Sequence, residues 1–224
     1  MGTLKTFRHE YKYVIPYEEM LSLRMKFNEL LDIDRSYDGY MIRSLYFDSV
    51  NDNDYYDKLG GELSRKKIRL RIYDPNSDLV KLELKAKHDY HQLKESLLIN
   101  KSDAKELING KYEVLLNYKD DLAKRLYAIM TEGYYRPKVI IEYHRIAYMT
   151  KTTTRITFDF DIKKSNDYES FFESDINYLK TTDGKDIVLE VKFDRFLEPH
   201  VSKFLEKYMS RGQSVSKYVM GRNV

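Results

Sequence analysis

Alternation of charged and apolar residues along several short segments limits the fold of this chain more than any other feature. In a strand, side chains at i and i+2 share one face. Residues 64–74 put Lys67, Arg69, Arg71 and Tyr73 on one face and Ile68, Leu70 and Ile72 on the other. Residues 79–87 oppose Lys81, Glu83, Lys85 and Lys87 to Val80, Leu82, Leu84 and Ala86. The first strand, 5–14, opposes Arg8, Glu10 and Lys12 to Phe7, Tyr11 and Tyr13. Residues 186–194 oppose Glu190 and Lys192 to Leu189, Val191 and Phe193. Residues 154–161 oppose Arg155, Thr157, Asp159 and Asp161 to Ile156, Phe158 and Phe160. A one-sided antiparallel sheet commonly has a solvated polar face, but such a face mixes Thr, Ser, Gln and Lys. Here Arg or Lys recurs beside an acidic residue. If helices cover the apolar faces, the charged faces point away from them, and in a closed barrel that direction is the lumen.

Three further segments read as strands, 39–48, 91–99 and 136–148, which makes eight. The turn Asp74-Pro75-Asn76-Ser77-Asp78 joins two of them as a hairpin. Helical periodicity marks 17–31 after Pro16, 102–109 with Ser102 at its N-cap and Gly110 beyond its end, 118–131 before Gly133, and 199–210 starting at Pro199. Residues 167–177 are a fifth helical candidate. The prediction is an α+β fold: an eight-stranded antiparallel β-tunnel, or barrel, with helices packed outside. Arg145 shares parity with Val139 and Ile141, so facing the lumen requires of its strand a bulge or a change of surroundings.

A lumen of this kind holds Arg8, Lys12, Arg69, Arg71, Lys85, Lys94, Arg145, Arg155, Lys192 and Lys217 against Glu10, Glu83, Glu190 and Asp159. Uncompensated buried cations are costly. Their excess calls for an anionic ligand, and Arg and Lys are the side chains that hold phosphate. The few carboxylates suit a hard divalent cation, Mg²⁺ or Mn²⁺. Phosphates and such a cation are the ingredients of phosphoryl transfer. Across the whole chain 39 Lys+Arg nearly balance 36 Asp+Glu, which argues against a whole-surface polyanion binder. With no cysteine, disulfides, thiolate catalysis and Cys-based zinc sites are excluded. There is no phosphate-binding Gly-rich loop, no His-Glu-x-x-His and no apolar run long enough to span a membrane. Gly2 and Thr6 match a loose myristoylation pattern. The N-terminus lacks the apolar core of a signal peptide, so the expected compartment is the cytoplasm.

Several segments, taken in order, resemble the VTC domain of the CYTH, or triphosphate tunnel metalloenzyme, superfamily. They are Arg8-His9-Glu10-Tyr11-Lys12-Tyr13, Ser44-Leu45-Tyr46-Phe47-Asp48, Lys67-Ile68-Arg69-Leu70-Arg71 and Leu82-Glu83-Leu84-Lys85. Arg136-Pro137-Lys138, Tyr143-His144-Arg145, Thr154-Arg155-Ile156-Thr157, Leu189-Glu190-Val191-Lys192 and Ser216-Lys217-Tyr218 complete the series. The resemblance spans nearly the whole chain and implies one domain, 1–224. It implies phosphate binding by Lys12, Lys85, Lys94, Lys192, Lys217 and Arg8. It gives Arg69, Arg71, Arg145 and Arg155 the transferring group, and Mn²⁺ or Mg²⁺ to Glu190 and then Glu10. VTC domains move the γ-phosphate of ATP onto a growing polyphosphate chain, so ATP and inorganic polyphosphate are the implied partners. Two departures stand out: the first strand reads Arg-x-Glu-x-Lys where many relatives have Glu-x-Glu-x-Lys, and Ser96 stands where a second basic residue is expected.

Three functions follow from these features. The first is a metal-dependent polyphosphate polymerase, with a triphosphatase of the same fold as its variant. The second is a tunnel that binds polyphosphate without turnover. A nucleic-acid binder is the third; it would want exposed aromatics on the basic face, whereas here most aromatics alternate away from it.

Overall fold

The computed structural model describes residues 8–89, 91–181, 186–209 and 215–222. In chain order these form β1 (Arg8–Pro16), α1 (Tyr17–Leu30), β2 (Asp32–Ile33), β3 (Tyr40–Asp48), α2 (Asn53–Gly60), β4 (Arg65–Ile72), β5 (Leu79–His88), β6 (His91–Asn100) and α3 (Lys101–Ile108). The chain continues with α4 (Asp121–Glu132), β7 (Arg136–Met149), β8 (Arg155–Ser165), β9 (Leu179–Lys180), β10 (Asp186–Asp194), α5 (Pro199–Met209) and α6 (Lys217–Arg222). Short 3-10 helices lie at Tyr112–Asn117 and Glu169–Phe172. Hydrogen-bonded strands follow the order β1-β10-β8-β7-β3-β4-β5-β6, with β2 beside β7 and β9 beside β8. The eight long strands are the eight that the sequence predicts, and the fold is α+β with an antiparallel sheet. Among the described residues the path of paired strands ends at β1 and at β6. Residues 5–7 of the predicted first strand, residue 210 of the predicted last long helix, and Gly2 and Thr6 lie outside the described residues.

The chain forms two compact units. One comprises the described parts of Met1–Met41, Tyr143–Ile162 and Thr182–Ser216. Its core joins the apolar faces of β1 (Tyr13, Ile15), β8 (Ile156, Phe158) and β10 (Ile187, Leu189, Val191) to Met20, Leu23 and Phe27 of α1 and Val201 and Leu205 of α5. The apolar residues of α1 recur every three or four positions, which is why one face of that helix is buried. Full burial of such a side chain contributes about 1.5–3 kcal/mol.

The other unit comprises the described parts of Ile42–Glu142, Lys163–Thr181 and Lys217–Val224. In it Ile68, Leu70 and Ile72 of β4 and Val80, Leu82 and Leu84 of β5 pack on Ala104 and Leu107 of α3, Leu115, and Leu122, Leu126 and Met130 of α4. The apolar strand faces thus meet helices, as the alternation requires.

Three predicted features are corrected. Residues 167–177 do not form a helix; only Glu169–Phe172 makes a single 3-10 turn. The reason is Arg43, which is 2% exposed although it shares parity with Leu45 and Phe47. Its guanidinium donates to Glu142 Oε2 at 2.7 Å and to the carbonyls of Phe171 and Glu173 at 2.9 and 2.6 Å. Those carbonyls would otherwise accept the bonds of a continuing helix. Ser102 is not the cap of α3, whose N-cap is Asn100. The fourth helix starts at 121, because the Asp120 side chain accepts from the Leu122 N–H at 2.7 Å and caps it there. Two helices absent from the prediction, α2 and α6, bear on the site. No helix among the described residues is long and apolar enough to cross a membrane.

Candidate active site

In the first unit, the register of β1 against β10 sets Glu10 opposite Lys192 and Lys12 opposite Glu190. All four side chains lie on the face away from the core, and they form one knot of charge. Lys12 contacts Glu10 and lies 3.5 Å from Glu190 Oε2. Lys192 contacts Glu190 and lies 3.8 Å from Glu10 Oε2. Burial and the Glu190 charge push the Glu10 carboxyl up, but Lys192 and Lys12 outweigh them and hold it below its ordinary value. Burial likewise opposes the Lys12 charge, yet Glu190 and Glu10 raise its pKa above the usual lysine value.

Two carboxylates that repel each other across neighbouring strands, with oxygen as the only ligand atom, fit a hard divalent cation. Among the described residues no group of three or more His, Asp or Glu side chains gathers to hold a metal alone. The donor set therefore fits a cation that shares its coordination with phosphate oxygens and water.

Next to this knot, β10 pairs with β8, placing Glu190 opposite Thr157 and Lys192 opposite Arg155. The Thr157 hydroxyl is buried without a hydrogen-bond partner among the described residues. Arg145 forms a bidentate pair with the fully buried Asp159, at 2.6 and 2.7 Å. Although burial opposes its charge, Asp159 holds the Arg145 guanidinium pKa well above its ordinary value. Arg155 turns to Asp34 Oδ2 at 2.5 Å and the Tyr40 hydroxyl at 3.0 Å.

In the second unit, Arg69 faces Glu83 across the β4–β5 pair, and Glu83 faces Ser96 on β6. Glu83 is 2% exposed and serves three cations. Arg69 Nε lies 2.7 Å from Oε2, Arg71 Nε 3.7 Å from Oε2 and Lys94 Nζ 2.9 Å from Oε1. Burial pushes its carboxyl up, but Arg69, Arg71 and Lys94 outweigh burial and hold it well below the usual carboxylate range. Arg69 also donates to the Tyr46 hydroxyl at 3.0 Å, and Arg71 to Ser44 Oγ at 3.2 Å. Lys85 pairs in register with Lys67 and with Lys94, and Lys85 and Lys217 are half-buried.

Val139 and Ile141, which share parity with Arg145, lie beneath Gly221 of α6. A helix therefore covers the apolar start of that strand face, so a change of surroundings rather than a bulge accounts for the parity. Of the expected residues, Glu10, Lys12, Glu190 and Lys192 converge, and Arg69, Arg71 and Lys94 converge on Glu83. Arg145 and Arg155 instead take separate carboxylate partners. The backbone of Arg8 lies in β1 opposite Asp194, and its side chain is outside the described residues.

The second unit also brings to the cluster around Glu83 residues that the charge pattern did not single out: Ser44, Tyr46 and Asp48 on β3, and Tyr218 on α6. Alternation with Leu45 and Phe47 could have revealed the first three, because they share a parity. Asp48 accepts from the N–H groups of Ser49, Asp54 and Tyr55 at 2.7, 2.9 and 2.9 Å, and from the Tyr218 hydroxyl.

Among solved structures, a protein from Hippeastrum matches with a TM-score of 0.58 at 15% identity, over 96% of this chain and 95% of that one. It is named as an adenylyl cyclase and described as having a dominant triphosphatase activity. A Bacillus halodurans protein named as an adenylate cyclase matches with a TM-score of 0.54 at 12% identity, over 96% of this chain and 91% of that one. A chain of the Schizosaccharomyces pombe Mediator head module matches with a TM-score of 0.51 at 8% identity, over 91% and 92%. Identities this low show a shared fold and nothing further. No curated protein matches the chain. The family model described as the VTC domain matches residues 7–224 and thus takes in every charged strand described above, so the chain belongs to the VTC domain family.

Proposed function

We propose that this chain is a metal-dependent phosphotransferase that moves the γ-phosphate of ATP onto a growing inorganic polyphosphate chain. Residues 1–224 would work as one catalytic domain in the cytoplasm, where nucleoside triphosphates are abundant. The observation that carries this reading is Glu190, a carboxylate set among Lys12 and Lys192 and beside Glu10. Lysines poised between carboxylates and an incoming anion suit a site that exchanges internal ion pairs for phosphate contacts.

Glu190 and Glu10 would hold Mn²⁺ or Mg²⁺, which when bound supplies charge neutralisation across phosphoryl oxygens. Lys12 and Lys192 bind phosphate as point charges on one side of that centre, with Arg8 from the start of the same strand. Arg69, Arg71, Arg145 and Arg155 take charge on the transferring group, and Lys85, Lys94 and Lys217 hold further phosphates. Such catalysis needs positioning and charge stabilisation rather than a protein nucleophile, so the lack of cysteine is no obstacle.

A second reading, a triphosphatase, is favoured by the description of the Hippeastrum neighbour. Incubation of the pure protein with ATP and Mn²⁺, followed by separation of polyphosphate from free phosphate, decides between them. Polymer supports the polymerase; phosphate alone replaces it with the hydrolase. Binding of tripolyphosphate without either product leaves a binding module. Glu190→Gln is expected to abolish turnover while leaving tripolyphosphate binding within a few-fold of wild type. An active Glu190→Gln variant would remove the metal assignment, whatever the product.

A further inference from the structure

The Tyr46 phenol occupies an unusual position on β3. The residue is 4% exposed, and its ring stacks on Tyr218 of α6 with centroids 5.2 Å apart. Its oxygen accepts from Arg69 Nη1 at 3.0 Å. A phenol carries one proton as well as its lone pairs. Among the described residues nothing accepts that proton, although buried donors in folded proteins nearly always have a partner.

The groups facing the hydroxyl are Arg69 and Arg71 of β4 and Lys217 of α6, all cationic. Neighbouring carboxylates are already committed: Glu83 to Arg69, Arg71 and Lys94, and Asp48 to the Tyr218 hydroxyl. The phenol proton therefore points into a field that attracts an anion bearing acceptor oxygens. We propose that Tyr46 is a ligand-binding residue that donates its proton to a phosphoryl oxygen of the bound triphosphate while its own oxygen orients Arg69. The proposal rests on the triphosphate reading above and adds a donor to it. Burial pushes the phenol up, but Arg69, Arg71 and Lys217 outweigh burial and hold it below its ordinary value. That acidity strengthens the hydrogen bond it can give an anion.

Tyr46→Phe keeps the ring and its stack and removes only the hydroxyl. Expected is a loss of roughly 10- to 150-fold in tripolyphosphate affinity, the range for a hydrogen bond to a charged group. The melting temperature without ligand should change little, because Arg69 keeps Glu83. A second measurement needs no variant. Among the described tyrosines whose pKa departs from the ordinary value, Tyr46 alone is lowered, so an early phenolate step in a near-ultraviolet titration reports it. Saturating tripolyphosphate should move that step to higher pH, since the anion both takes the proton bond and offsets the cations. Wild-type affinity in Tyr46→Phe, or an unmoved phenolate step, overturns the assignment while the triphosphate reading stands. A wild type that binds no tripolyphosphate overturns both.

Discussion

Glu83 serves as the counter-charge to Arg69, Arg71 and Lys94, and all of these sit on strand faces turned from the core. Removing one partner of a buried ion cluster is costly, because the remaining charges stay desolvated. Glu83→Gln is therefore expected to lower stability by about 2–4 kcal/mol at low salt. The same change leaves the cations free for an external anion, so tripolyphosphate should bind more tightly and restore much of the lost melting temperature. Thermal melts with and without tripolyphosphate check both signs at once. A variant that loses stability and also loses anion binding would show that Glu83 orients the arginines rather than competing for them. The position of Glu83 on the charged face was legible from alternation alone. That it holds three cations was not, because Lys94 reaches it from a third strand whose register only the fold defines.

The two helices missed in the sequence share a cause. The N-cap of α2, Asp52, has φ of +57° and makes no side-chain cap bond. Asp48, at the end of the preceding strand, supplies the carboxylate that accepts from Asp54 and Tyr55. A cap reaching back six and seven residues leaves no local signature. Six-residue α6 contains a glycine, which disfavours helix by about 1 kcal/mol relative to alanine. It is held by tertiary ties: Tyr218 to Asp48, and Arg222 to Asp52 at 2.9 and 2.8 Å. Gly221 lies so close to the strand beneath that an added Cβ would come within 2.1 Å of Ile141 Cδ1 and 3.2 Å of Val139 Cγ2. Gly221→Ala, which usually stabilises a helix, is thus expected to cost about 1–3 kcal/mol through overpacking. It should also weaken tripolyphosphate binding, because Lys217 rides on the same helix. A melting temperature at or above wild type would refute the close fit.

Over the molecule, the pH dependence of stability has two opposed parts. Glu10, Glu83, Glu142, Asp52 and Glu198 are held below their ordinary values. For Glu198, burial works the other way, but the hydroxyls of Thr152, Thr154 and Thr150 bring its pKa down to about 2. A carboxylate with a depressed folded pKa stabilises fully above its unfolded pKa of about 4, and that contribution is lost as pH falls through the folded value. Asp54 has the opposite sign. Burial raises it to about 6 against the pull of Lys66, with Asp48 adding to the rise. Its cost is absent near pH 4, grows as pH rises through about 6 and stays constant above, at roughly 3 kcal/mol. Stability is therefore expected to peak on the mildly acidic side of neutrality and to fall steeply in acid. Asp54→Asn keeps an acceptor for the Tyr135 hydroxyl, 3.0 Å away, and removes the titration. Its stability relative to wild type should improve at about pH 7.5 and that advantage should shrink at about pH 5. Paired thermal melts at the two pH values test this, and a difference independent of pH would contradict it.

Period-two alternation is local, so five of the eight long strands, the charged face of each and the excess of cations over carboxylates there are legible along the chain, and the other three strands follow from β-forming residues between turn signals. The sequence also determined the amphipathic helices α1, α3, α4 and α5, whose apolar residues recur at helical spacing. Tertiary structure alone decided which charge meets which. Register across strands, not spacing along them, makes Lys12 and Lys192 share Glu190 and Glu10, and Arg155 meets Asp34, which lies just beyond the end of β2. Tertiary structure also decided against a helix at 167–177, because a guanidinium distant in sequence takes the carbonyls that helix would need. Side-chain partners drawn from distant segments leave no periodic trace in a sequence, and here they set α2, α6 and the surroundings of Tyr46.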